Sequence, residues 1–217
     1  MSLHKQESGY TLIETMISML VLALVLTFVY QVLISVQKST YNANQRLENL
    51  EEGRVLMATI TKDIRTAARP TVDTAPFTLA KPKEVIFYAN LNTSTVPVRV
   101  RVYVDGTGLL REEVTKPNLP PTTPQLYTGP TEIRVVGRYI TNADVFTYWA
   151  PDGADAGTAQ DQVSNGAAAL TTEQALTVEA VEVHLRIRKT TNAFIEPTSL
   201  INRVRLPNVF YKPLGEG

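Results

Sequence analysis

The sequence predicts an α+β protein in which a long N-terminal helix, first apolar and then amphipathic, packs on an antiparallel β-sheet head. Three observations lead to this fold class. The run from Met16 to Val36 is apolar and contains no charge, proline or glycine. A helical pattern of apolar residues then continues almost to Pro70. Beyond Pro70, apolar and polar residues alternate in several short stretches, as they do in half-buried strands.

The apolar run is about as long as a helix that crosses the hydrocarbon core of a bilayer. It is longer than the core of a cleaved secretory signal, and residues 30–33, Tyr-Gln-Val-Leu, make a poor small-residue cut site. We therefore expect it to stay in the mature protein as a membrane helix. The basic flanks leave its orientation open, because Lys5 precedes it while Lys38 and Arg46 follow it.

Residues 7–14, just before this run, read Glu-Ser-Gly-Tyr-Thr-Leu-Ile-Glu. This segment resembles the class III signal of type IV prepilins and pseudopilins, in which a glycine, an aromatic residue and Thr-Leu-Ile-Glu precede a long apolar run. The resemblance implies that an inner-membrane prepilin peptidase cuts between Gly9 and Tyr10 and that the new amine of Tyr10 is methylated. Residues 1–9 would then be a leader. Tyr10 stands where the family more often has Phe.

Glu14 places a carboxylate at the edge of the predicted membrane helix, which costs a few kcal/mol unless the charge has a partner. The resemblance supplies that partner, because the glutamate of the family pairs with the terminal ammonium of a neighbouring subunit. It also implies that residues 20–26 pack in the core of a filament. The alternative is that Glu14 lies in the headgroup layer and has no role.

After the membrane segment, apolar residues recur at steps of three and four, which predicts a helix face that packs on a sheet. The members of this face are Leu50, Gly53, Met57, Ile60, Ile64 and Ala67. Gly53 is expected to allow a close backbone approach. Charged residues such as Asp63 are expected mostly elsewhere around the helix, which is predicted to run from about Thr11 to Ala68.

The remaining elements are predicted to be strands and loops. The predicted strands are Glu84–Ala89, Val96–Val104, Leu109–Val114, Ile133–Ile140, Val145–Trp149, Val181–Ile187 and Leu200–Phe210. Residues 105–108, Asp-Gly-Thr-Gly, predict a hairpin turn between the second and third strands. A second hairpin is expected to join the fourth and fifth strands through a turn at residues 142–144. Residues 116–130 and 150–172 are expected to be loops.

A second resemblance rests on scattered segments, chiefly Arg54–Pro70 and the large head, which are similar to J-type pseudopilins and W-type minor pilins. It implies a minor pilin or pseudopilin, at the tip or at the start of a filament. The expected divisions are a leader at 1–9, a transmembrane helix at 10–36, its extracytoplasmic continuation at 37–69 and a β-rich head at 70–217. The implied partners are the prepilin peptidase, other minor pilins or pseudopilins and the assembly platform, reached from the cytoplasmic (inner) membrane.

An enzyme is not expected, because the sequence has no cysteine, no nucleophile elbow, no phosphate-binding glycine loop and no HExxH motif. No cofactor is expected either, although Asp152, Asp155 and Asp161 share one glycine-containing loop and are calcium candidates. Their spacing does not match an EF-hand, so a solvated loop is the favoured interpretation. His4 falls in the leader. His184 is expected on the polar face of a strand as a hydrogen-bonded surface residue.

Four arginines on two strands could form a basic face that suits DNA, if those strands are neighbours. They are Arg99, Arg101, Arg186 and Arg188. The balanced total charge, with 21 basic and 21 acidic residues, argues against a nucleic-acid partner. Cross-strand ion pairs with Glu112, Glu113 and Glu182 are therefore the favoured interpretation.

Two other classes of protein stay open at this stage. One is an enzyme or binding domain that an uncleaved anchor tethers to the membrane, which predicts an intact leader and a dispensable Glu14. The other is a major structural pilin, which predicts abundance and self-polymerisation.

Overall fold

The structure is a computed structural model, and it describes residues 11–69, 75–91, 96–120, 125–151, 160–164, 166–189 and 196–207. The elements in these ranges are α1 (Leu12–Arg65), β1 (Phe77–Lys81), β2 (Glu84–Ala89), β3 (Val98–Val104), β4 (Leu110–Thr115), β5 (Thr131–Gly137), β6 (Phe146–Pro151), β7 (Gln160–Val163), α2 (Thr172–Thr177), β8 (Ala180–Ile187) and β9 (Thr198–Arg205). The chain divides into two compact units between Gln45 and Arg46, within α1.

The C-terminal unit contains two antiparallel sheets. Sheet A has the strand order β1-β2-β3-β4-β5, and sheet B has the order β7-β6-β8-β9. The buried faces of the strands supply most of its apolar core, and Val85, Phe87, Val100, Val183 and Leu185 are all fully buried there. A long helix with antiparallel sheets is the α+β class, so the predicted fold class is confirmed.

Within this unit, the last turns of α1 pack against both sheets. Gly53 faces Leu200 of β9 and Ile187 of β8, while Leu56 packs over Gly137 of β5. Most of the predicted apolar face is buried, and Leu50 is half-buried. The close approach expected at Gly53 is therefore confirmed.

The predicted hairpin between the fourth and fifth strands is wrong. β5 pairs with β4 in sheet A, whereas β6 pairs with β7 and β8 in sheet B. The connection crosses between sheets because its polar groups bond to β8: Thr141 N donates to Arg186 O at 2.9 Å, and Asn142 Nδ2 donates to His184 O at 2.8 Å. Tyr139, with a φ of 62°, supplies a left-handed residue just before this crossing.

Three elements that the sequence pattern missed and two element ends also differ from the prediction. The sequence pattern does not predict β1, and β7 and α2 overlap the stretch expected to be a loop or lie next to it. α1 ends at Arg65 because the next residues pair with β2 instead: Ala67 bridges Ala89, and Ala68 N donates to Tyr88 O at 2.8 Å. The last strand ends at Arg205, before Pro207, and residues 208–210 lie outside the described residues.

Asp63 is a further correction, because the sequence pattern places it away from the buried face. Its side chain is only 8% exposed and lies 3.7 Å from the Arg134 guanidinium of β5. A charged neighbour on a sheet, far away in sequence, allows an acidic residue to lie among the buried positions of the helix.

Candidate functional site: the N-terminal helical segment

The first turn of α1 contains Glu14. The amide of Glu14 donates to the backbone oxygen of Thr11 at 3.0 Å and lies 3.4 Å from the Thr11 hydroxyl. Thr11 thus caps the helix, and its position matches the preference for hydroxyl residues there. An acidic side chain in the first turn also interacts favourably with the helix dipole. Gly9 and Tyr10, the predicted cut site, lie outside the described residues.

Hydroxyl side chains within the apolar segment bond to the helix itself. Thr15 donates to Leu12 O, Ser18 to Glu14 O and Thr27 to Ala23 O, each at 2.8 Å. A hydroxyl that donates to the preceding turn needs no outside acceptor, so it is tolerated in hydrocarbon. These polar residues are therefore compatible with a membrane helix.

Among the residues that the structure describes, the apolar side chains of this segment are largely exposed. The most apolar window has a mean hydropathy of 2.5, and none of it is buried. α1 is thus long and apolar enough to cross a membrane, judged by length and composition alone. An exposed apolar surface of this extent is typical of a segment that contacts lipid or other proteins.

The calcium candidates are not brought together by anything that the structure describes. Asp161 lies on β7, while Asp152 and Asp155 lie outside the described residues. Within the described ranges, no group of three or more His, Cys, Asp or Glu side chains could hold a metal ion. The calcium site stays a prediction. His184 is hydrogen-bonded as predicted, with Nε2 at 2.7 Å from the Ser199 hydroxyl of β9.

The four arginines do not form one face, because two belong to β3 and the other two lie on β8 or directly after it, in different sheets. Arg101 pairs with Glu84 at 2.7 Å and with Glu113 at 3.1 Å. The other predicted acidic partners are also paired, Glu112 with Arg134 at 2.6 Å and Glu182 with Arg203 at 2.8 Å. The expected pairing with these arginines is confirmed for Arg101 and Glu113, whereas Glu112 and Glu182 pair with Arg134 and Arg203, which the sequence pattern did not suggest.

Residues 4–30 match the family model described as the prokaryotic N-terminal methylation motif. The matched segment includes Gly9, Tyr10, Glu14 and most of the apolar run. This match supports a type IV pilin-like precursor that is anchored in a membrane by its N-terminal helix. No curated protein and no solved structure matches the chain.

Proposed function

We propose that this chain is a minor pilin or pseudopilin that a prepilin peptidase processes and that then joins a type IV pilus or a type II secretion pseudopilus. The observation that carries the proposal is that the methylation motif at residues 4–30 coincides with a helix whose apolar side chains are exposed in the described part of the chain. The head would be extracytoplasmic, and the helix would anchor the precursor in the cytoplasmic membrane before assembly.

Glu14 has the central role in this proposal. A carboxylate in apolar packing is tolerated when a cation compensates it. After cleavage at Gly9, the amine of Tyr10 in a neighbouring subunit would supply that cation. This pair would set the axial position of one helix against the next, while residues 20–26 pack among the other helices of the filament.

The choice of a minor subunit over a major one rests on the head. Its two sheets and its connections make it large, and such a head suits a tip or initiating position. The segment 54–70 is similar to that of J-type pseudopilins and W-type minor pilins. Other minor pilins or pseudopilins and the assembly platform would be its partners.

The experiment that tests this proposal is the intact mass of the protein from membranes of cells that express a prepilin peptidase. We expect the mass of a chain that begins at Tyr10 and carries one added methyl group. Gly9→Val should leave the leader in place, whereas Ser8→Ala, one residue away, should be processed normally. A wild-type chain that still begins at Met1 would refute the proposal and favour a tethered domain.

Abundance separates the minor from the major role once processing is established. A minor subunit should be present in sheared filaments at a small fraction of the main component and should not polymerise alone. Filaments composed mainly of this chain would instead identify a major structural pilin.

A further inference from the structure

Two carboxyl groups and one guanidinium meet where α1 packs on sheet A. Glu112 of β4 is only 2% exposed, and Arg134 of β5 donates to its Oε2 from Nε at 2.9 Å and from Nη2 at 2.6 Å. Asp63, in the last turn of α1, lies near the same guanidinium, and its Oδ2 is 3.7 Å from Arg134 Nη2. The cluster joins a helix to two strands that are distant from it in sequence.

The charges of this cluster do not balance when both acids are ionised. Two buried carboxylates then share the guanidinium of Arg134. This side chain is 59% exposed, so water also solvates its charge. Lys62, on the same helix, also attracts the Asp63 carboxylate, but its side chain is exposed to solvent. A buried carboxylate without a full countercharge destabilises the folded protein, and such a group usually becomes neutral by binding a proton.

The side chains favour Asp63 as the group that takes the proton. Burial and the neighbouring Glu112 carboxylate raise the pKa of Asp63 to about 6, against the opposing effects of Arg134 and Lys62. Glu112 already accepts two hydrogen bonds from Arg134, so its charge is the better compensated of the two. A protonated Asp63 can donate to Glu112, which leaves one negative charge opposite one positive charge.

We infer that Asp63 and Glu112 form a single proton-binding site between α1 and sheet A, and that releasing the proton weakens the packing of the helix on the sheet. The direction follows from linkage. The folded protein binds this proton more tightly than the unfolded chain, whose aspartate has its ordinary pKa of 3.8. The stabilisation is therefore present at low pH and is lost as the pH rises to about 6.

The test compares the full chain with its Asp63→Asn variant in a nonionic detergent. Urea unfolding is followed by the fluorescence of Trp149, the only tryptophan in the sequence. Between pH 4 and pH 7 we expect the unfolding constant of the wild-type protein to rise relative to that of the variant by up to about 100-fold, less where water screens the site. An asparagine side chain does not titrate, so this step should be absent from Asp63→Asn.

The matched control is Glu132→Gln, which removes a carboxylate from an exposed ion pair with Lys116 beside the same two strands. It should keep the wild-type step, whereas Glu112→Gln should move the step to lower pH. Should Asp63→Asn not fold, the carbon-13 shift of the Asp63 carboxyl in the wild-type protein gives the midpoint directly. A midpoint near 4, or a step of unchanged size in Asp63→Asn, would overturn the inference.

Discussion

Gly53 is the position in α1 where adding a single methyl group tests the packing of the helix most directly. The helix is buried there, and Gly53 lies against Leu200 of β9 and Ile187 of β8. A Cβ at this position would lie 3.0 Å from Ile187 Cδ1 and would overlap Leu200 Cδ1. Gly53→Ala therefore sets an intrinsic helix preference against a steric conflict.

The two effects differ in sign and are similar in size. Alanine stabilises the interior of a helix by about 1 kcal/mol relative to glycine. An extra methyl group in a packed interior costs about 1–3 kcal/mol. We expect Gly53→Ala to lower the free energy of unfolding by about 1 kcal/mol, because the side chains of Leu200 and of the fully buried Ile187 must both shift to admit the new methyl group.

The double variant isolates the conflict. Leu200→Ala removes the side chain that the new methyl group would meet, so in this background Gly53→Ala should become stabilising by up to about 1 kcal/mol. The change of sign corresponds to a coupling of about 2 kcal/mol between the two positions.

Urea unfolding of the full chain in detergent, followed by Trp149 fluorescence, measures all four proteins. Ala58→Gly, at an exposed position of the same helix, should lower stability by about 1 kcal/mol and calibrates the helix preference alone. If Gly53→Ala stabilises the protein with Leu200 intact, the proposed contact between α1 and β9 is refuted.

Three further predictions address other parts of the chain. Glu14→Gln should abolish incorporation into filaments while membrane insertion persists, and Glu14→Asp should retain part of the incorporation. The amounts of each variant in sheared filaments and in membrane fractions measure incorporation and insertion. Normal incorporation of Glu14→Gln would contradict the role of the charge. Asp105 accepts hydrogen bonds from Thr107 and Leu109 and pairs with Arg111, and these contacts lower its pKa. Its contribution to stability should thus be present above about pH 4 and lost in acid, so Asp105→Asn should unfold with a weaker acid dependence than the wild-type protein in urea titrations. Leu56→Ala should lower the free energy of unfolding by about 2–5 kcal/mol, because Leu56 is fully buried over Gly137. Val55→Ala, at an exposed position of the same helix, is the control. Equally small losses in the two variants would contradict the packing of Leu56.

The features of α1 could be predicted because they depend on local patterns. The membrane segment follows from an apolar run of sufficient length, and the buried face follows from steps of three and four residues. Gly53 could be interpreted because a glycine that costs helix stability within such a face usually has a packing reason. The end of the helix is harder to predict, because it is set by the pairing of Ala67 with Ala89, and this pairing depends on tertiary structure.

The strand pairing could not be derived in the same way. β5 and β6 are adjacent in sequence with a turn-like segment between them, and this pattern normally indicates a hairpin. What separates them is that Thr141 and Asn142 bond to β8, which follows later in the chain. The burial of Asp63 has the same origin, because Glu112 and Arg134 become its neighbours only after sheet A has formed.

The two units of the chain are expected to depend on their residues in different ways. Among the described residues, the apolar side chains of the N-terminal segment are not buried, so we expect its proposed role to depend on single residues, chiefly Gly9, Tyr10 and Glu14. The head is stabilised by mutual packing, which many combinations of apolar residues can satisfy while the fold is kept. We therefore expect single substitutions to affect the proposed assembly more strongly in the N-terminal segment than on the surface of the head.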